Sequence, residues 1–223
     1  MQDICYLKKS RLTDNRIFRV KSELFSAAHD IIEFNEGTSQ MHIGDISGNF
    51  LVAVPGLDDP NFDHTVVLIC EHARQGAFGL VINKVLMNSI SPLLQSLGME
   101  KKKLNLPVHY GGPVNPDQGY VIYSPYDEKY QSIVISGNLA VTVSKNILYD
   151  IASGKGPEKF IFALGSAGWG ANQLEEELMM GSWIVSPANF HIIFNMPVSE
   201  RWRAAARLTG VDLDRYCDLG GSA

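Results

Sequence analysis

Residues Val66–Lys84 read VVLICEHARQGAFGLVINK, and the way this stretch folds decides the rest. Two short apolar runs, VVLICEH and FGLVINK, flank the polar ARQGA. Their β-branched content predicts the two strands of a hairpin, with a loop of several residues that Gly76 relaxes. Cys70, Glu71 and His72 stand side by side in the first strand. Strand side chains alternate between faces. Val66, Leu68, Cys70 and His72 are therefore expected on one face, and Val67, Ile69 and Glu71 on the other. A Cys-Glu-His triad from this segment alone is excluded. Cys70 and His72 are expected as same-face neighbours, roughly 6–7 Å apart along the strand.

Outward from the hairpin, NFLVAVP (49–55) predicts a strand and GLDDPNFD (56–63) a turn-rich connection. SPLLQSLGM (91–99) reads as a short helix, with Ser91 as cap, Pro92 in the first turn and Gly98 at the exit. LPVHYGG, QGYVIYSP and QSIVISG follow as short strands separated by Gly, Pro and Asn. LAVTV begins as a strand, becomes a helix near Ser144 and ends at Gly154. KFIFALG reads as a buried strand. The Gly-rich stretch LGSAGWG (164–170) reads as a tight turn leading into the helix GANQLEEELMMG, where Leu174 and Leu178 lie one turn apart. SWIVSP and FHIIFN read as strands, and SERWRAAARLTG as the closing helix. Strands outnumber helices without alternating with them, which predicts an α+β fold with a mostly antiparallel sheet.

The chain has 223 residues, 45% of them hydrophobic, which suits one domain with an appendage. Residues 1–40 form the appendage: a mixed-charge stretch with helical spacing from Leu24 to Ile32, a basic cluster from Lys8 to Lys21, and the linker NEGTSQ. Residues 41–223 form the domain. The formal net charge of −5 gives no general attraction to phosphate backbones, so direct nucleic-acid binding is disfavoured. Three cysteines, Cys5, Cys70 and Cys217, make no disulfide framework and fit a reducing cytoplasm. No apolar run approaches the ~18 residues of a membrane span. The six histidines show no paired ligand spacing with the cysteines, so neither a metal nor another cofactor is expected.

Several phrases occur in one order: FLVAVPGLDDPNFDHTVVLICEH, GAFGLVINK, VHYGGPVNPDQGYVIY, ALGSAGWGANQLEEEL, SWIVSPAN and RWRAAARLTGVDL. Together they resemble the bacterial AlgH/YqgE family from about Gly48 onward. The resemblance implies a cytosolic single domain whose bent sheet folds into a pseudo-barrel flanked by short helices. The chain departs from the family pattern at His64, where an Arg is usual, and at Ser166, where an aromatic is common.

Two functional readings compete. The first is a non-enzymatic binding or regulatory protein with a protein or small-molecule partner. Its candidate contacts are Glu71 and His72 at the strand end, Asn83 and Lys84 at the end of the next strand, the rigid turn Gly111-Gly112-Pro113, and Gly168 with Trp169. The second is a thiol-based enzyme or redox sensor using Cys70 as nucleophile and His72 as base, which would need a stabilised thiolate and an oriented base. The arginines of the last helix, Arg201, Arg203 and Arg207, read as a solvated face, because no helix-turn-helix precedes them.

Overall fold

The computed structural model describes residues 32–34, 41–96, 98 and 106–213. Apart from 32–34, the extension 1–40 lies outside them, as do Cys5 and Cys217. Ile32–Phe34 (β1), whose first residue was expected in a helix, is a strand paired antiparallel with Met41–Ile43 (β2).

The remaining strands are β3 (Asn49–Ala53), β4 (Val66–Ala73), β5 (Gly76–Val81), β6 (Val85–Met87), β7 (Val108–Tyr110), β8 (Val114–Ser124), β9 (Ile133–Ser136), β10 (Leu139–Thr142), β11 (Lys159–Gly170) and β12 (Trp183–Pro187). They make one ten-stranded sheet in the order β12-β3-β4-β5-β11-β8-β10-β9, with β6 and β7 attached beside β11. Every ladder is antiparallel except β7–β11. The helices are α1 (Ser91–Ser96), α2 (Lys145–Ser153), α3 (Gln173–Met179), α4 (Phe190–Phe194) and α5 (Arg201–Arg207). This is an α+β fold with a sheet that bends but does not close.

β11 is the shared spine. Its first half, Lys159–Leu164, pairs with β8, and its second half, Ala167–Gly170, pairs with β5. LGSAGWG is thus strand rather than the expected turn; the chain leaves the sheet only at Ala171 and Asn172. The glycines serve close backbone approach. A Cβ on Gly111 would sit 2.1 Å from the Gly165 carbonyl oxygen, and one on Gly165 2.2 Å from that of Gly112. No side chain fits at this crossing.

Bending gives the sheet an inside. Phe50, Leu68, Leu80, Ile122, Val141 and Ile161 come from both halves of the sheet and pack into one core under α4 and α5. On the outer face of one half, Leu51, Val67, Ile69 and Val81 pack under α3. On the outer face of the other, Val108, Val121, Ala140 and Phe162 pack under α1 and α2. Each of these Val, Leu, Ile and Phe side chains, fully buried, contributes about 1.5–3 kcal/mol. No helix among the described residues is long and apolar enough to cross a membrane.

Local signals set the helices. Ser144 caps α2 by accepting from the Asn146 N–H, and Gly154 ends it at φ 77°. FHIIFN, expected as a strand, is helix α4. Asn189 Oδ1 accepts from the N–H groups of His191 and Ile192 at 3.0 and 3.2 Å, and the adjacent Ile192 and Ile193 are both buried. That pair cannot both point inward from a strand.

Candidate functional site

The β4–β5 hairpin turns through two residues, Arg74 and Gln75, not through a loop of several. Val66, Leu68 and Cys70 face the inside core, as expected, and Val67 and Ile69 face α3. Beyond Ile69 the pattern breaks. Ile69 pairs with Gly79 and Glu71 with Phe78, so Cys70 is the extra residue of a β-bulge. The bulge reverses the alternation. His72 sits opposite Ala77, which faces α3. Cys70 and His72 therefore point to opposite faces of the sheet, contrary to the alternation expected from the sequence.

Cys70 is 2% exposed, and its thiol donates to the Leu68 carbonyl at 3.6 Å. Burial, with the Glu71 charge adding, pushes the thiol far above its ordinary range. That is the reverse of what a thiolate nucleophile needs. His72 does not reach solvent: its side chain is only 6% exposed. Its Nε2 lies 3.1 Å from Glu175 Oε1, and Nδ1 accepts from the Ile46 N–H at 3.4 Å. Its own backbone N–H donates to Ser47 Oγ at 2.9 Å. Both ring nitrogens are engaged, so His72 ties the bulge to the loop at Ile46 and to α3.

Trp169 performs a similar task one strand away. Its Nε1 donates to Glu177 Oε2 at 2.9 Å, and Trp183 Nε1 donates to the same oxygen at 2.7 Å. Gln173 Nε2 donates to the other oxygen at 3.0 Å. Phe62 packs against both indoles. One carboxylate of α3 thus fastens two indoles of the sheet. Gly168 pairs with Phe78 and lies in the same row as Glu71, which is exposed.

Asn83 and Lys84 lie at the other end of the hairpin, roughly 15–20 Å from His72 by strand rise. Asn83 Oδ1 accepts from the Val66 N–H at 2.7 Å, and its Nδ2 donates to the His64 carbonyl at 2.8 Å. Lys84 Nζ donates to the carbonyls of Asn61 and Pro60 at 3.0 and 3.4 Å. Burial lowers its pKa, against the pull of Asp63 and Asp59. Tyr110 OH donates to Asn61 Oδ1 at 3.1 Å. Together these groups pin the connection before β4. Gly111 bonds to Val81 and Leu164, Gly112 crosses Ser166, and Pro113 is exposed. The candidate residues thus form two separate groups at opposite ends of the hairpin.

Two features carried no signal in the sequence. Arg201, expected on a solvated face, is 5% exposed. Its Nε donates to the Met196 carbonyl at 3.1 Å and its Nη1 to that of Ile82. Burial lowers its pKa to about 10, so it stays charged at neutral pH. His109 is also buried; its Nδ1 faces the Phe162 carbonyl at 3.3 Å, and its Nε2 has no partner. Burial, with Arg201 adding, pushes the imidazole down to about 4.

The second feature is a cleft of 270 Å³ between α1, the start of α2 and the outer face of β8 and β11. Leu93, Val121, Leu148, Phe162 and Leu164 supply its apolar surface. Asp117, Gln118, Thr142, Ser144 and Lys145 supply its polar surface. None of the candidate contacts named from the sequence lines it. Its polar side chains are ordinary types, exposed at Asp117, Gln118 and Lys145 and buried at Thr142, drawn together from segments some 25 residues apart, from Gln118 to Thr142.

Comparisons with known proteins agree with this architecture. A UPF0301 protein of Thioalkalivibrio sulfidiphilus is 43% identical over 179 residues, covering 79% of this chain and 96% of that protein. A UPF0301 protein of Nitrosococcus oceani is 41% identical over 178 residues, covering 78% and 95%. The solution structure of the AlgH protein from Pseudomonas aeruginosa is similar, with a TM-score of 0.66 and 37% identity, covering 86% of this chain and 98% of that one. A crystal structure of protein DIP2367 from Corynebacterium diphtheriae shares the fold at a TM-score of 0.60 and 21% identity, covering 76% and 90%. A family model described as AlgH-like matches residues 50–214, and the chain belongs to that family.

Proposed function

We propose that this protein is a non-enzymatic, cytoplasmic binding protein for a small ligand, and that the cleft over β8 and β11 is its site. The observation that carries the reading is the composition of that cleft: an apolar floor under a rim of charged and polar side chains. Ligand sites combine a mostly apolar lining with a few polar groups that fix orientation. A volume of 270 Å³ lies just below the usual range of about 300–1,000 Å³ and suits a compact molecule. The thiol reading has no comparable support, because Cys70 is buried, protonated and turned away from His72. The cytoplasmic assignment rests on the three scattered cysteines.

The test is a fragment screen read by amide chemical shifts on the full chain. Binding fragments should perturb Gln118, Thr142–Lys145 and Phe162, and Leu148→Trp, which fills the cleft, should abolish the effect. Hits that leave these residues unmoved would overturn the assignment.

A further inference from the structure

We infer that the cleft takes a compact zwitterion, of which an aliphatic α-amino acid is the simplest form; this rests on the cleft being the binding site. Three of its polar groups are already engaged. Thr142 Oγ1 donates to the Tyr130 carbonyl at 2.7 Å and accepts from the Ser144 N–H at 3.0 Å. Ser144 Oγ caps α2 through the Asn146 N–H at 3.3 Å. Gln118 Nε2 donates to the Gly119 carbonyl at 2.9 Å. These groups are held by the fold.

Two charges are not. Asp117 on β8 and Lys145 at the first position of α2 line the same cleft, yet they are not paired with each other or with any other described residue. Among the described residues neither has a hydrogen-bond or ion-pair partner, and both border the same cavity. Lys145 is also poorly placed for its own helix, since a cation in the first turn opposes the helix dipole.

The charge pattern selects the ligand. A simple anion gains Lys145 but meets Asp117, and a simple cation meets the reverse. A molecule with a carboxylate and an ammonium satisfies both, each through a charge-assisted hydrogen bond. The floor of Leu93, Val121, Leu148, Phe162 and Leu164 offers no hydrogen bond and takes an aliphatic side chain.

The experiment titrates the full chain with L-leucine, 4-methylpentanoate, isoamylamine and glycine, following affinity by calorimetry and the site by amide shifts. Leucine should bind at least about ten-fold more tightly than each of the other three, since each lacks one of the three contacts. Asp117→Asn should bring leucine down to the affinity of 4-methylpentanoate, and Lys145→Met down to that of isoamylamine. If 4-methylpentanoate or isoamylamine matches leucine while shifting the cleft amides, the zwitterion is wrong and the cleft stands. If none of the four moves the cleft amides while an unrelated fragment does, the zwitterion is again wrong. If neither these probes nor any fragment moves them, the cleft itself is not the site.

Discussion

The two outer faces of the bent sheet use their polar side chains differently. Under α3, one carboxylate, Glu177, holds two indoles and an amide, and a second, Glu175, holds His72. Beside α2, Asp117 and Lys145 line a cleft and hold no other described residue. A hydrogen bond between protein groups stabilises modestly, but a buried donor left without its acceptor costs the full desolvation penalty. The α3 face is therefore fixed by its own polar groups, whereas on the α2 face Asp117 and Lys145 keep their bonding capacity among the described residues. Of the neighbouring titratable residues Cys70, Glu71 and His72, it is His72 that fastens segments together, through Ile46 and Glu175.

The largest effect that would test this contrast is on the α3 face. Trp183→Ala and Trp169→Ala each remove a buried indole, and each should cost about 3–5 kcal/mol by urea denaturation. A loss below about 1 kcal/mol in either would mean that this face is not the fastened one.

The inside of the bent sheet supplies the next effect, because the buried His109 has a ring nitrogen, Nε2, with no partner among the described residues. Its folded pKa, about 4, lies below the ordinary 6.5, so on acidification the unfolded chain takes up the proton first. Its contribution is therefore complete above about pH 6.5, falls as the pH drops toward 4, and levels off below that, for a loss of up to about 3 kcal/mol. His109→Gln should flatten the stability profile across that window, measured as the urea midpoint against pH. An unchanged slope would place the acid sensitivity elsewhere.

Cys70→Ser puts a hydroxyl into an apolar site and should cost about 1–3 kcal/mol. In the unaltered chain, Cys70 should react with a thiol reagent only when the chain unfolds. Fast labelling of the folded chain would restore the nucleophile reading. The smallest effects belong to the cleft. Asp117→Asn and Lys145→Met should change stability by no more than about 0.5 kcal/mol, with Lys145→Met neutral or stabilising because it removes a charge unfavourable to α2. A loss above about 1 kcal/mol would show that these charges are structural too.

Much of the fold is legible in the sequence, because its signals are local. The strands around Phe50 and Leu68, the switch from β10 to α2 at Ser144, the stop at Gly154 and the inward side of the last helix at Trp202, Ala205 and Ala206 follow from period, cap and turn residue. The misreadings of LGSAGWG and Arg201, and the missed cleft, share one origin in contacts between segments far apart in sequence. The Gly165–Gly170 stretch looks like a turn because glycine marks both turns and close backbone crossings, and only the position of Gly111–Gly112 distinguishes them. Arg201 looks exposed because one of its acceptors, the Ile82 carbonyl, lies on a remote segment. The cleft is assembled from β8, β11, α1 and the start of α2, so no single window of sequence contains it.

The bulge in β4 has a consequence for matching this chain to its relatives. The pairs Ile69–Gly79 and Glu71–Phe78 are already in step with Cys70 left out of the count. A chain one residue shorter at this point would keep every later side chain of the strand on its present face, and would lose only the thiol and the local twist. A one-residue gap at position 70 is thus the insertion or deletion this strand tolerates. The same gap two residues later would delete the imidazole that ties the strand to Ile46 and Glu175.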